Sequence, residues 1–465
     1  MATPHPASFR DPRGFVFEQD GTLYRQVNEA GREGYEALMT SGLYDELAAK
    51  RLLVAHTEVD VPGGAAAADP AAPRAFRTLK PDLVPFVSHP YEWCFGQLKA
   101  AALLTLRVQR IALKHGMTLR DASAFNVQFV GARPVFIDTL SFDRYVEGRP
   151  WVGYRQFCQH FLAPLYLMAG RDPRLSALAA SWIDGIPLDV ARVLAPLRYR
   201  LRPGFLTHIA LHAGAQRRFQ DAGTRPAASP RLPRKAQLNL LDSLRGAVER
   251  LSWNPDRTVW AGYYANTNYT DDAMEQKKRF VAAVVDGIRP ARVVDLGANT
   301  GEFSAIAARA GAYVVASDID HGAVEICFRR ERAADGERVL PLVVDLASPP
   351  PGVGWMNRER SSFLDRCAGR TDLVLALALV HHLAIGNNVP LAAFFELLAR
   401  VGRQAVVEFV DKRDSQVRRL LASREDIFDG YTEAGFESAL AGAFRIVQKQ
   451  PIAGNHRVLY HLARA

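Results

Sequence analysis

Three stretches of this 465-residue chain place reactive side chains at spacings that chemistry can use. The first is Asp295-Leu-Gly297-Ala-Asn299-Thr-Gly301, followed farther on by Asp318 and Asp345. A tight glycine turn lets a ligand approach the backbone closely. An aspartate about twenty residues beyond such a turn can grip both hydroxyls of a ribose. Asp345, at the end of the next apolar run, is placed to accept from an adenine amino group. A dinucleotide fingerprint needs a middle glycine to admit the pyrophosphate. Here that position is Asn299, so the spacing favours a nucleoside. The second stretch is Leu377-Ala-Leu379-Val-His381-His382-Leu383. Imidazole has the intrinsic pKa to remove a hydroxyl proton, which makes His382 the first choice for a base and His381 the second. Glu408, in Val406-Val-Glu-Phe-Val, is a further catalytic candidate, for orienting a substrate. The plain alternative is that the histidines pack at a strand end. The third stretch holds Asp121, Asn126 and Asp138. Three such groups in one apolar neighbourhood are costly to bury unless a metal, a hydrogen-bond network or a ligand satisfies them. Alternatively, Asp121 caps a helix, Asn126 makes a turn and Asp138 ends a strand.

The elements around these residues follow from periodicity. In the C-terminal half, apolar strands at Arg292–Asp295, Tyr313–Ser317, Val339–Val344, Asp372–Ala378 and Gln404–Val410 alternate with helices at Glu302–Ala310, His321–Ala333 and Pro390–Val401. Such alternation predicts a parallel sheet covered by helices on both faces. Two further strand-like runs, Phe444–Gln448 and Arg457–His461, close the chain, and helices are expected at Leu238–Leu251 and Asp271–Val285. Residues 222–236 carry three prolines and little to bury, a linker composition. The expected domains are therefore 1–221, the linker 222–236, and 237–465. A smaller loop is expected at Pro62–Pro73, and Tyr263–Tyr269 could fold over a ligand as a lid.

Taken as a set, Asp295-x-Gly297-x-x-x-Gly301, Asp318 and Asp345 resemble the nucleoside-binding motifs of class I methyltransferases. The resemblance covers about 200 residues and implies an α/β, Rossmann-like sheet of seven strands, the last antiparallel. It implies S-adenosyl-L-methionine as cofactor. Gly297 and Gly301 would flank the methionine moiety, Asp318 would hold the ribose and Asp345 the adenine, with Asp295, Asn299 and Leu379 as further cofactor-binding residues. The N-P-P-Y motif of nucleobase amino methyltransferases is absent, and so is a Pro-Cys nucleophile. The His-His-Leu pattern is similar to small-molecule and glycan methyltransferases. The chain as a whole resembles nodulation-associated methyltransferase proteins, which points to O-methylation of a saccharide, glycolipid or other small molecule.

In the N-terminal half, Arg120-Asp121 followed by Asn126 resembles the H-R-D-x-x-x-x-N loop of protein kinases, with Leu119 in place of the histidine. Strand-like runs at Val127–Val130 and Pro134–Ile137 lead to Asp138, where kinases place a magnesium-binding aspartate, and the helical stretch Phe95–Lys114 precedes the loop. The resemblance implies an α+β kinase-like domain with Asp121 as base and Asn126 and Asp138 on magnesium. The upstream pattern departs from the family. There is no Gly-rich phosphate loop, the first lysine is Lys50, and Arg25 is the only substitute for the anchoring lysine. A degenerate or substrate-holding domain, an active kinase and a chance match all stay open, so a bifunctional kinase and methyltransferase is the alternative function.

Composition bounds these readings. The apolar share is 48% and the charged share 23%, as in a folded protein of more than one domain. The formal charge of +9 comes from scattered arginines, not a basic stripe, which argues against a nucleic-acid partner and leaves a nucleic-acid methyltransferase as a further alternative. Four dispersed cysteines show no metal-ligand spacing and are expected to be buried thiols. With no apolar run of ~20 residues and no signal-like start, cytoplasmic residence is expected. The acceptor and the oligomeric state are left open.

Overall fold

The structure is a computed structural model describing residues 3–61, 73–211, 231–258, 270–422 and 424–465. Nearly all of the 62–73 loop, most of the 222–236 linker and the whole of 263–269 lie outside the described residues. The chain divides into two compact units. The first is Met1–Phe129, Pro134–Trp253 and Gly352–Arg360; the second is Val130–Arg133, Asn254–Pro351 and Ser361–Ala465.

The first unit opens with an antiparallel sheet of β1 (Thr3–Pro4), β2 (Gly14–Gln19), β3 (Thr22–Asn28), β4 (His56–Glu58) and β5 (Ala75–Pro81), in the order β1-β2-β3-β5-β4. Asp20-Gly21 joins β2 to β3 with φ of 52° and 72°, the left-handed pair that a two-residue hairpin requires. Helices α1 (Arg32–Thr40) and α2 (Leu43–Ala49) lie between β3 and β4 in sequence. Helix α3 (Phe95–Lys114) buries Leu98, Ala101, Thr105, Val108 and Ala112, a stripe at helical spacing. It leads into β6 (Met117–Leu119), β7 (Val127–Val130), β8 (Arg133–Phe136) and β9 (Phe142–Arg144), which pair as β6-β9 and β7-β8 around the Asp121–Asp138 stretch.

Helix α4 (Arg234–Glu249) also belongs to the first unit, which corrects the domain boundary expected at 237. Its apolar stripe, Leu241, Leu244, Ala247 and Val248, is buried there. Lys99 fastens its end by donating to the carbonyls of Glu249 and Leu251 at 2.8 and 2.7 Å. A lysine at a helix C-terminus satisfies carbonyls that the helix itself cannot.

The second unit begins with α5 (Asp271–Ile288). It continues through β10 (Arg292–Leu296), α6 (Glu302–Arg309), β11 (Tyr313–Asp318), α7 (His321–Ala333) and β12 (Val339–Val343). After these come β13 (Thr371–Ala376), α8 (Val380–Ala384), α9 (Leu391–Val401), β14 (Gly402–Val410), β15 (Phe444–Pro451) and β16 (Arg457–Arg464). The seven strands lie in the order β12-β11-β10-β13-β14-β16-β15, and only β16 runs against its neighbours. This is the sheet implied by the class I resemblance. Its central strands are buried on both faces, and Val293, Val314, Leu373, Leu375 and Val406 share one core with Val281, Val285 and Phe303.

All four cysteines are free and buried. Among the described residues no helix is long and apolar enough to cross a membrane.

Candidate functional site

In the second unit the strands β10 to β13 end at a cavity lined by Asp295, Gly297, Asn299, Asp318, Asp345, Leu379 and His382, together with Lys277, Phe303, Ile319 and Asn387 among others. The glycine turn forms its floor. Gly297 adopts φ 74° and Asn299 φ 49°. The N–H groups of Gly297 and Ala298 donate to the Ser317 carbonyl at 2.8 and 3.0 Å, tying the turn to β11. A Cβ on Gly297 would stand 3.2 Å from Leu379, so a larger residue would crowd the opposite wall.

Asp318 is the best-defined polar group. One carboxylate oxygen accepts the Asn299 N–H and the other the Asp320 N–H, both at 2.8 Å. A carboxylate has about four lone-pair sites, so both oxygens retain capacity for further donors. Burial pushes the Asp318 carboxyl up to about 6, partly opposed by those two N–H bonds. Asp295 is 2% exposed and is pushed up to about 7 by burial, although Ser304 donates to it at 2.6 Å and Lys277 lies nearby. Asp345 accepts the Ala347 N–H at 2.9 Å.

The far wall is the end of β13. Ala378 stands at φ 51°, a left-handed conformation that costs a non-glycine residue about 1 kcal/mol or more and that clusters at functional sites. Helix α8 then presents His382 to the cavity. Burial, reinforced by the positive charge of Arg457, pulls the His382 imidazole down to about 4, leaving it neutral at physiological pH.

Three expectations are corrected. Gly301, at φ 81°, is not among the cavity-lining residues; a Cβ there would meet Cys327 at 2.7 Å, so it serves the packing of α7. His381 is 2% exposed and lies behind His382, the two rings 4.1 Å apart. Glu408 is 0% exposed and does not line the cavity. It is held by Lys277 at 2.6 Å and Arg457 at 3.3 Å, while Arg457 also reaches Asp414 at 2.9 Å. A strand-end glutamate was expected to face a substrate; two buried cations claim it instead.

Lys277 is the residue that the sequence reading missed. Its ammonium sits 4.6 Å over the Phe303 ring and lines the cavity. Burial lowers its pKa, opposed by Glu408.

In the first unit the loop after β6 carries Asp121, which accepts the Ser123 N–H at 2.9 Å, and Asn126, whose side-chain amide helps to favour the ionised Asp121 carboxylate, as does that of Gln156. Burial raises the Asp121 carboxyl, and the charge of Asp138 adds to the shift. Asp138 is paired with Arg25 from β3 and also accepts from the Ser141 hydroxyl and, at 3.1 Å, the Leu140 N–H. Burial alone would raise the Asp138 carboxyl, but Arg25 and these hydrogen bonds outweigh it, so the net shift is downward. Asn126 and Asp138 are linked through the Ser141 hydroxyl, which accepts from the Asn126 amide at 3.5 Å and donates to Asp138, and Arg25 of β3 pairs with Asp138. Among the described residues no cluster of three or more His, Cys, Asp or Glu side chains is arranged to hold a metal ion.

No protein-family model matches the chain. Among solved structures, magnesium protoporphyrin IX methyltransferase from Synechocystis PCC 6803, crystallised with SAM, is 21% identical over 44% of this chain and 90% of its own, with a TM-score of 0.32. The bifunctional kinase-methyltransferase WbdD is 16% identical over 42% of this chain and 40% of its own, with a TM-score of 0.31. The fold assignment above rests instead on the strand order of the sheet. Among curated proteins, nodulation protein NoeA of Rhizobium meliloti (strain 1021) is 37% identical, covering 100% of this chain and 98% of the relative. Identity at that level along the full length of both proteins leaves one conclusion: the chain belongs to the family of nodulation protein NoeA.

Proposed function

We propose that the second unit binds S-adenosyl-L-methionine in the β10–β13 cavity and methylates a hydroxyl group of a saccharide or glycolipid. The observation that carries this reading is the state of Asp318. Its carboxylate is held by two backbone N–H groups and keeps acceptor capacity on both oxygens at the cavity, as a ribose diol demands. The charge of the lining agrees. It contains three aspartates and a single cation, Lys277, which is already engaged by Glu408. Such a lining repels a pyrophosphate and suits a ligand that carries a positive charge. The cofactor supplies a methyl group on a sulfonium. The chain's own residues would do the rest: Asp345 would accept from the adenine, and Ile319 and Leu379 would pack against the cofactor.

His382 supports a hydroxyl acceptor. A neutral imidazole at the end of β13 can orient an O–H and take its proton during transfer. The low pKa is no obstacle, because an alkylated hydroxyl is a far stronger acid than imidazolium. The similarity of the His-His-Leu pattern to glycan methyltransferases favours a sugar-bearing acceptor. The test for the acceptor is transfer of labelled methyl from S-adenosylmethionine into fractionated cell extract, with label in a glycan or glycolipid fraction expected and label in RNA contradicting the proposal.

Asp318→Ala should weaken binding of S-adenosylhomocysteine by about 1.5–3 kcal/mol, roughly tenfold to a hundredfold, in calorimetry. The pH dependence has a definite sign. Hydroxyl donors favour the ionised carboxylate, so affinity should fall as pH drops through about 6 and level off above it. Asp318→Asn should flatten that part of the profile. Undiminished affinity in the alanine variant would remove the ribose assignment.

We further propose that the first unit is kinase-like but transfers no phosphate. Support comes from the five-stranded antiparallel sheet, α3 and the stretch that carries Asp121, Asn126 and Asp138. Against phosphotransfer stands Arg25, whose guanidinium pairs with the Asp138 carboxylate that would have to meet magnesium, while Ser141 and the Leu140 N–H take up two more of its acceptor sites. Magnesium and ATP do not fit this donor set. Millimolar Mg-ATP should leave the melting temperature of the full chain unchanged. A stabilisation that grows with ATP concentration, as ligand linkage requires, would restore the bifunctional alternative.

A further inference from the structure

Within the first unit, the chain from Leu188 makes short helices at Leu188–Leu194, Leu197–Arg200 and Pro203–Phe205 and a π-helical turn at Leu206–Ala210. Pro196 precedes the second helix and Pro203 opens the third, so the run is broken into pieces. Their inner faces are fixed by packing. Leu188, Ala191, Ala195, Tyr199, Phe205 and Ile209 are buried. The Tyr166 ring meets those of Tyr199 and Phe205 edge-on, with centroids 6.3 and 5.1 Å apart, and the Tyr199 hydroxyl donates to the Ala169 carbonyl at 2.9 Å.

The outer face is apolar too, which a merely solvated helix face is not. Val193, Leu197 and Leu201 are 64%, 69% and 66% exposed, and Leu206 44%. Leu197 and Leu201 stand one helical turn apart and share a face. Exposed leucines scattered singly need no explanation, but several on one short stretch do. The same stretch carries Arg192, Arg198, Arg200 and Arg202 against a single acid, Asp189. Arg198 and Arg202 lie 5.4 and 4.2 Å from the centre of the Tyr199 ring, and Arg200 donates to the carbonyls of Val193 and Ala195 at 2.6 and 2.7 Å. Among the described residues no carboxylate forms an ion pair with any of the four.

Charge decides which partner suits leucines and arginines together. A second copy, related by a two-fold axis, would set the patch against itself and bring arginine against arginine, which costs affinity. A nucleic acid would answer the arginines but leave the leucines on a polar, wet surface. The surface of an anionic bilayer answers both. Apolar side chains enter the boundary between headgroups and acyl chains, while guanidinium groups meet lipid phosphates in two-pronged hydrogen bonds. We propose that the Val193–Leu206 face docks the protein on the surface of an anionic phospholipid membrane. The inference rests on the first unit alone and is independent of the cofactor reading.

The test is co-sedimentation of the full-length chain with vesicles of phosphatidylcholine alone and of phosphatidylcholine mixed equally with phosphatidylglycerol. At roughly fivefold for each basic residue near such a surface, the arginines predict a preference of about a hundredfold or more for the mixed vesicles, and raising the salt should erode it. Leu197→Ser combined with Leu201→Ser should weaken binding to the mixed vesicles by roughly tenfold to a hundredfold and keep the preference. Both side chains are exposed, so the melting temperature should not move. Arg198→Gln combined with Arg202→Gln should do the reverse, cutting the preference by about twenty-fivefold. No binding to the mixed vesicles, equal binding to both kinds, or undiminished binding in both paired variants overturns the proposal. So does a dimer that the leucine pair splits in sedimentation velocity, which would give the face to a second copy. Binding of duplex RNA that both pairs weaken, with vesicles left unbound, would give it to a nucleic acid and overturn the proposal as well.

Discussion

Replacing His382 by alanine should lower kcat by about 10²- to 10⁴-fold and leave the dissociation constant of S-adenosylhomocysteine within about twofold. The two effects separate because His382 faces the cavity from α8, whereas the nucleoside would be held by Asp318 and Asp345 on other strands. His382→Gln should recover little: glutamine can accept a hydrogen bond but cannot carry a proton away. The pH profile supplies an independent check. Burial and Arg457 hold the imidazole at about 4, so it is neutral over the ordinary working range. The sign follows: protonation removes the base, so kcat should stay level from pH 8 down to about 5 and then fall tenfold per unit below about 4. A fall centred near 6.5, the ordinary imidazole value, would mean that the proton is taken by a more exposed group. A rate within a few-fold of the unmodified enzyme would mean that positioning alone is enough.

Much of the second unit is legible in the sequence because its strands are short apolar runs separated by amphipathic helices. The helix His321–Ala333 is read with the ends that the structure gives it, and the strand before the glycine turn differs only by Leu296. The glycine turn, Asp318 and Asp345 are legible for the same reason: they lie at or just past the C-terminal ends of strands, where open α/β sheets bind ligands, and His382 follows on the short helix after β13.

The failures have physical causes. Glu408 also lies near a strand end, but β14 continues to Val410, and its partners come from α5 and β16, which no local pattern joins to it. Lys277 left a trace that could have been used. Ala273, Phe280, Val281, Val284 and Val285 form the buried stripe of α5, and Lys277 sits within that stripe at helical spacing. A lysine on an apolar face has to find a partner or a ligand. The sheet of the first unit went unread because its strands carry mixed burial instead of strict alternation, although Asp20-Gly21 is a strong hairpin signal. The boundary at 237 failed because Pro-rich composition does not tell with which unit the next helix packs. Helix α4 follows that stretch and buries its stripe in the first unit.

Glu408→Gln should destabilise the second unit by about 3–5 kcal/mol, the cost of leaving a buried charge without its counter-ion, and lower its melting temperature by roughly 10 °C. The side chain is isosteric, so no cavity is created; what changes is that Lys277 and Arg457 face a neutral amide. Arg457 keeps Asp414, at 2.9 Å, and loses less. Lys277 has burial pulling its pKa down and Glu408 pulling it up, so losing the carboxylate leaves only the downward pull dominant. The native variant should then shed the lysine proton at lower pH than the unfolded chain does. Stability rises with pH wherever the unfolded state binds more protons, so the deficit relative to the unmodified chain should narrow as pH rises from neutral toward the ordinary lysine value. Lys277→Met combined with Glu408→Leu removes both charges and should cost much less than Glu408→Gln. Chemical denaturation across that pH range measures all three. Had Glu408 been the substrate-orienting residue that its strand-end position first implied, Glu408→Gln would lower kcat at unchanged stability, and a melting temperature within about 2 °C of the unmodified chain would reinstate that role.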